Sequence, residues 1–369
     1  MRYTELGTTG IKASVISFGG IPIQRVSVEE AAEILSACKE SGINFIDTAR
    51  LYTDSEEKIG EYFKGHGREG WYVASKSPAR DRDGMLQDLA RSIENMACDY
   101  IDLYQLHNVS TVQDMERVLG PGGALEALEE AKKQGLVRHI GLTGHKPEIL
   151  DTGVSSGRFE CLQVPFNAME KQALPLLKKA KQKGMGTIAM KPLAGGALTL
   201  AAAALDYILN CSWVDVAIPG MQSVREVQEN CSVVEGKVTD KERRQLEKLI
   251  AGLGTHFCRR CEYCQPCPNG LNIPSMFLFE GYYTRYNLKE WAMERYSALP
   301  VKASDCTQCG VCESRCPYEL AHSQDAKGHS CHYGKIAAPA KRQSFNIHAA
   351  GLLSLAAVCT QRCWSRISA

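Results

Sequence analysis

The chain has 369 residues, 44% hydrophobic and 23% charged, an ordinary globular balance with length for one large α/β domain and a small appended module. Its net charge of +1 leaves no basic excess for a nucleic acid or an anionic membrane surface, so neither is expected as a partner. No run reaches the roughly 18 apolar residues of a membrane span, the nearest being Ala349 to Val358.

Elements are expected in a regular alternation. Tyr3 to Ile11, centred on Gly7, read as a hairpin. Strands follow at Val15–Phe18, Asn44–Asp47, Trp71–Ser75, Ile101–Leu106, Ile140–Thr143, Cys161–Val164, Gly186–Met190 and Val214–Ile218. Helical patterns between them include Glu29–Glu40, Glu56–Phe63, Met85–Asn95, Ala124–Lys133, Leu174–Lys183 and Arg225–Val233. Gly42, Gly135 and Gly184 fit left-handed caps at helix ends. Eight strands alternating with helices over residues 13–235 predict a (β/α)8 TIM barrel. An open doubly wound sheet would carry a Gly-rich phosphate loop after its first strand, and Phe18-Gly19-Gly20-Ile21-Pro22 is not one. A charged helix, Thr239 to Ala251, starts with Thr and has Glu242 three residues on, a capping box. The barrel domain is thus placed at 1–252, a cysteine module at 255–320, and a poorly ordered tail at 321–369.

The cysteines carry the strongest pattern. Cys258, Cys261, Cys264 and Cys267 precede Pro268, and Cys306, Cys309, Cys312 and Cys316 precede Pro317. The second run, C-x2-C-x2-C-x3-C-P, is the bacterial ferredoxin spacing for a [4Fe–4S] cluster, in which the last cysteine ligates the other cluster. That logic assigns Cys258, Cys261, Cys264 and Cys316 to one cluster, and Cys306, Cys309, Cys312 and Cys267 to a second. The first run departs from the rule, because its last gap is two residues. Zinc also takes four cysteines, but usually from paired C-x2-C units. With no apolar stretch after the N-terminal M-R-Y-T-E-L-G, a reducing cytoplasm is the expected compartment. Cys38, Cys98, Cys161, Cys211 and Cys231 stand singly and read as small core residues. His322, His329, Cys331 and His332 match no metal spacing.

Three successive strands end in Asp47, Lys76 and His107, with Tyr52 in the loop after the first of them. Barrel enzymes take their catalytic groups from such strand ends. One charge there is usually a solvated loop residue, but three in succession after apolar runs are hard to explain as packing.

The stretches F-I-D-T-A-R-L-Y, V-A-S-K-S, Y-Q-L-H-N, Q-V-P-F-N and A-I-P-G-M resemble the aldo-keto reductase superfamily, in its branch with a C-terminal ferredoxin-like extension. The likeness covers about residues 1–320 and stops abruptly near Leu320. It implies an NAD(P)H-dependent reduction of a small aldehyde or ketone, with Tyr52 as general acid, Lys76 lowering its pKa, Asp47 pairing with Lys76, and His107 orienting the carbonyl. It also implies cofactor contacts at Thr143, Gln163 and Met190, with Asn167 compensating for Gly144, where the family has Asn. At the eighth strand Gly220 and Glu226 replace the family's Lys and Arg, Asn230 is retained, and Ser223 with its helix N-terminus could cradle a phosphate. Two lost cations and a gained anion favour NADH over NADPH, unless Arg225 takes over the role.

Hydride delivers two electrons and a cluster accepts one, a step a flavin usually bridges, and no flavin motif is found. Three roles for the clusters stay open: structural support, exchange through a flavin, or service to an external one-electron redox protein. Two other functions compete with carbonyl reduction, an electron-transfer protein whose barrel docks a redox partner and a redox-sensing binding subunit. The pairing of Tyr52 with Lys76 favours the reductase.

Overall fold

The computed structural model describes residues 1–253, 258, 264–284, 288–316 and 320–322. Antiparallel strands β1 (Tyr3–Glu5) and β2 (Lys12–Ser14) form the expected hairpin. Eight parallel strands follow in sequential order: β3 (Phe18–Gly19), β4 (Phe45–Asp47), β5 (Tyr72–Ser77), β6 (Ile101–Leu106), β7 (Val137–Thr143), β8 (Cys161–Pro165), β9 (Gly186–Met190) and β10 (Val216–Ile218). Bridges Ile16–Ala217 and Gly19–Gly220 join the last strand to the first and close the barrel.

The outer layer consists of α1 (Val28–Glu40), α2 (Ser55–His66), α3 (Arg82–Asn95), α4 (Val112–Leu119), α5 (Ala124–Lys133), α6 (Pro147–Ser156), α7 (Leu174–Gln182), α8 (Ala201–Leu209), α9 (Val224–Ser232) and α10 (Asp240–Leu253). Local chemistry sets several of their starts. Ser27 and Glu30 form a full capping box on α1, and Asp81, Thr111 and Ser223 cap α3, α4 and α9 through their side-chain oxygens. Among the described residues no helix is long and apolar enough to cross a membrane.

Strand parity divides the core in two. Ile46, Val73, Tyr104, Leu162, Ala189 and Ala217 face outward into the large cluster that the helices cover. Phe45, Ala74, Leu103, Cys161, Ile188 and Val216 face inward, with Leu6, Ile11 and Ala13 of the hairpin packed against them. The hairpin plugs the bottom so tightly that a Cβ on Gly7 would lie 2.2 Å from the Gly186 nitrogen. Of the single cysteines, Cys38 and Cys161 are buried as expected, whereas Cys98, Cys211 and Cys231 are only half-buried at the core's margin.

The cysteine module contributes α11 (Ile273–Thr284), α12 (Lys289–Ala298) and the single turn α13 (Val311–Ser314). Its small cluster consists of Cys264, Leu271, Ile273, Met276, Phe277, Tyr296 and Ala303. Cys261 and the tail from residue 323, including His329, Cys331 and His332, lie outside the described residues.

Candidate active site

Side chains two residues apart on a strand share a face. Two positions beyond the inward apolar layer the strands carry Asp47, Lys76, Gln105 and Gln163, with Thr143 and Met190 on neighbouring β7 and β9. The inward face of the barrel therefore changes from apolar to polar at the C-terminal end of its strands. His107, two residues after Gln105, continues that face at the mouth.

Lys76 is 1% exposed and Asp47 2%, so their charges stand or fall together. The Lys76 Nζ donates to Asp47 Oδ2 at 2.7 Å and to the Thr48 carbonyl at 2.6 Å. Burial pushes the Asp47 carboxyl up against the opposing pull of Lys76, and Asp47 with Tyr52 holds Lys76 above its usual value despite desolvation. The pair is an ion pair in which Lys76 keeps its proton.

Tyr52 sits between β4 and α2, its ring 5.0 Å from Lys76 Nζ and edge-on to His107 at 5.8 Å between centroids. The family resemblance implies that Lys76 brings the Tyr52 pKa down. The net direction is up: desolvation is the largest cause, Lys76 opposes it, and Asp47 and then Tyr282 of α11 add to it. Tyr52 therefore holds its proton at neutral pH. His107 is pushed down to about 3, first by burial and then by the charges of Lys76, Arg80 and Lys191, so its ring is neutral. Its Nδ1 is buried without a hydrogen-bond partner, and so is Gln105 Oε1.

Gln105 is a member of this site that strand ends alone do not reveal. Its Nε2 donates to Gln163 Oε1 at 2.7 Å and lies 3.4 Å from Asp47 Oδ1. The period of two in Q-L-H places it on the same face as His107, which is the signal that finds it. Arg80 is another addition: its Nη2 donates to the carbonyls of His107 and Asn108, both at 2.9 Å, pinning the loop after β6.

The residues expected to hold a cofactor divide into groups. Thr143 and Gln163 are buried in the polar layer, and Met190 lies 4.0 Å from the Thr143 hydroxyl. Asn167 is fully buried and committed to its own loop and to the one after β9. It donates to Glu170 Oε2 and the Lys191 carbonyl, and accepts from the Met169 and Glu170 amides. At the eighth strand Gly220 lies under Pro22, whose Cγ would be 2.7 Å from an added Cβ. Ser223 accepts from the Glu226 amide at 3.2 Å, and Glu226 Oε2 accepts from the Gln222 amide at 2.7 Å. The helix N-terminus thus already holds a carboxylate of its own. Arg225, 85% exposed, pairs with Glu229 at 2.7 Å, and Asn230 is buried on α9.

The left-handed region is rare for residues other than glycine. Four such residues, Thr53 (φ 36°), Asn108 (φ 53°), Lys191 (φ 54°) and Ala194 (φ 49°), lie in loops at this same end of the barrel. Strain of this kind collects at functional mouths.

In the module, Cys267, Cys306, Cys309 and Cys312 line one cavity with Leu271, Ile273, Met276, Phe277 and His322. Cys316, among the described residues, is not on that wall. Two hydrogen bonds draw the cysteine runs together, Asn269 Nδ2 to Thr307 Oγ1 at 2.7 Å and Arg315 Nη1 to the Pro266 carbonyl at 3.2 Å. Among the described residues no three His, Cys, Asp or Glu side chains converge closely enough to hold a single metal ion.

The sequence model described as the aldo/keto reductase family matches residues 15–201, and one described as a 4Fe-4S dicluster domain matches residues 257–321. L-galactose dehydrogenase of Arabidopsis thaliana is 27% identical over 281 residues, covering 62% of this chain and 86% of that protein. Aldo-keto reductase str7 of Strobilurus tenacellus is 30% identical over 207 residues, half of this chain, which spans 60% of the relative's length. The holo form of a Bacillus halodurans aldo-keto reductase superposes with a TM-score of 0.59 at 23% identity, over 68% of this chain and 96% of that one, a likeness of fold.

Proposed function

The chain belongs to the aldo/keto reductase family of oxidoreductases and carries a C-terminal 4Fe-4S dicluster domain, and on that premise we propose that it reduces a small aldehyde or ketone with NADH. The observation that carries this reading is the grouping of Asp47, Tyr52, Lys76 and a neutral His107 at the C-terminal mouth of a closed barrel.

When bound, the dihydronicotinamide supplies a hydride to the carbonyl carbon and leaves oxidised. The carbonyl oxygen takes the electron pair of the broken C=O π bond and needs one proton. Tyr52, held protonated by burial, gives that proton, and the Lys76 ammonium beside its ring offsets the charge left on the phenolate. Asp47 keeps Lys76 charged. His107 is neutral, so it orients the carbonyl oxygen by a hydrogen bond without competing as an acid.

The residues present suit a nicotinamide. His107 Nδ1 and Gln105 Oε1 are buried polar atoms awaiting partners, and Thr143 and Gln163 stand in the same layer. Asn167 serves as a loop anchor in this reading, not as the replacement for the family's Asn. Three observations support NADH over NADPH. Pro22 fills the space a cation at position 220 would need, Glu226 sits on the helix N-terminus where a 2′-phosphate would bind, and Arg225 is turned outward onto Glu229.

The cysteine module suits two [4Fe–4S] clusters. Cys267 on the wall with Cys306, Cys309 and Cys312 supports the crossed assignment despite the short last gap of the first run. Thiols spread around a cavity fit a cluster better than a single zinc ion, which needs them convergent. The other set, Cys258, Cys261, Cys264 and Cys316, stays as the spacing assigns it. The clusters would supply one-electron redox capacity or structural support, and an external redox protein is a partner of the first of these.

Anaerobically purified protein tests the reading optically. NADH should be consumed only when an aldehyde is added, and Tyr52→Phe should lower kcat about 10²- to 10⁴-fold with the iron content unchanged. Bleaching of the iron–sulfur absorption by NADH alone, equally in Tyr52→Phe, would replace this reading by electron transfer.

A further inference from the structure

The loop after β4 carries Tyr52 between two anchors. Before it, Arg50 donates its amide to the Lys76 carbonyl at 2.9 Å and its Nη1 to Glu56 Oε2. After it, the Ser55 hydroxyl donates to the Gly20 carbonyl at 2.9 Å, and Glu56 stands in the first turn of α2. The Arg50–Glu56 pair thus closes the loop on either side of Tyr52. Within it Leu51 is 60% exposed and Thr53 is left-handed, φ 36°. Strained backbone of this kind persists only where its surroundings fix it.

The Arg50 anchor is built on the outer face of the strand that carries Lys76. Ser75 and Ser77 flank Lys76 on β5 and, by the alternation of side chains, point the other way. Ser75 Oγ donates to Glu56 Oε1 at 2.6 Å, and Ser77 Oγ donates to Asp88 Oδ2. Both carboxylates meet the Arg50 guanidinium, Glu56 at Nη1 and Asp88 Oδ1 at 3.7 Å from Nε, which is buried without a hydrogen-bond partner. Asn95 Nδ2 also lies 3.4 Å from Glu56 Oε2, and Glu56 is 1% exposed. A buried ion pair gains little over an apolar filling of the same volume. What it does impose is direction, because the guanidinium is planar and its donors form a rigid fork.

We propose that Arg50 is a positioning residue for the general acid: with Glu56 and Asp88 it forms an ionic bracket behind β5 that sets the place of Tyr52 relative to Lys76. The proposal rests on the carbonyl-reductase reading. The bracket holds both partners at once, the loop of Tyr52 through Arg50 and the strand of Lys76 through Ser75 and Ser77. Tyr52 and Lys76 therefore keep their 5.0 Å relation without either being touched on the side that faces the substrate.

The test uses the full-length, iron-loaded protein at saturating NADH with benzaldehyde as the probe. Arg50→Met leaves Glu56 buried and unpaired, so it should unfold at a lower urea concentration than the wild type. Arg50→Met/Glu56→Gln removes both charges and keeps an acceptor for Ser75, and its urea midpoint should return to that of the wild type. In both variants kcat should fall roughly 10- to 100-fold, with KM for NADH within a factor of about two. The solvent deuterium isotope effect on kcat should rise, because proton delivery from Tyr52 is the step that displacement slows. Recovery of kcat together with the midpoint in the double variant would reduce the bracket to a stabilising contact and overturn the proposal. So would a fall in kcat with an unchanged isotope effect. If the wild type does not reduce benzaldehyde, the carbonyl reading fails by itself, and hydrogen exchange then decides the bracket. Amides of residues 51–55 should exchange faster in the double variant than in the wild type, equal exchange overturning the proposal.

Discussion

The barrel and the cysteine module solve the problem of burial in opposite ways. The barrel has two apolar layers, one between strands and helices and one inside the strands, and the charges inside its strands form the Asp47–Lys76 ion pair. The module has a small apolar cluster arranged around a cavity walled by thiols. Burial of apolar surface stabilises a fold in proportion to area, about 25 cal/mol per Å², and a unit this small gains little from it. The barrel therefore has the apolar area to hold its fold by packing, whereas the module, on the proposed assignment, depends on the clusters its thiols would hold.

The largest expected effect follows from removing the filling. Prolonged treatment with an iron chelator should open the module to limited proteolysis within residues 264–316, while the barrel keeps its far-UV dichroism. Equal loss of both regions would show that the barrel and the module are stabilised in the same way. Next in size is the Asp47–Lys76 ion pair inside the strands. Asp47→Asn leaves Lys76 buried without its counter-ion, a change that costs about 3–5 kcal/mol, measurable by urea unfolding, and it should leave the module's iron content unchanged.

A smaller effect appears on acidification. His107 has a folded pKa of about 3, below the roughly 6.5 of an unfolded histidine. The unfolded state therefore binds the extra proton first, and this contribution to stability is complete above pH 6.5 and lost as pH falls toward 3. The slope is about 1.4 kcal/mol per pH unit in that window, so comparing urea midpoints at pH 7 and pH 5 should show a difference of about 2 kcal/mol that His107→Asn removes. The smallest change is at the rim of the barrel. Glu226→Ala should reduce the preference for NADH over NADPH by about 3- to 10-fold in binding titrations, because it removes the carboxylate from the α9 N-terminus without adding a cation. Its effect on stability should stay near 1 kcal/mol.

Asp47, Lys76 and His107 were legible because each follows an apolar strand, and the cysteine runs because ligand spacing is local. Burial is not local, and that explains the largest departure. Beside a lysine a tyrosine is expected to acidify, yet desolvation at Tyr52 outweighs Lys76 and reverses the net direction. The Lys191–His145 contact joins residues 46 apart through a lysine in a conformation that no propensity predicts. Gly220 reads as a missing cation, but only the fold shows Pro22 occupying the space that its side chain would need. Asn167 illustrates the converse: its P-F-N motif is conspicuous, and its hydrogen bonds turn out to be spent within its own loop and on the Lys191 carbonyl.

Cys267 joins the wall formed by Cys306, Cys309 and Cys312 while its sequence neighbours belong to the other run. On the proposed assignment, a cluster seated there ties Cys267 to Cys306 and closes a ring of chain containing α11 and α12. Closing a loop of this size with a disulfide restricts the unfolded chain by roughly 4 kcal/mol. Iron would thus act as a covalent clasp with no disulfide formed. The crossed assignment would also make the two seats mutually dependent, because neither would be complete until both stretches of chain had met. The module should therefore load its iron in a single concerted event.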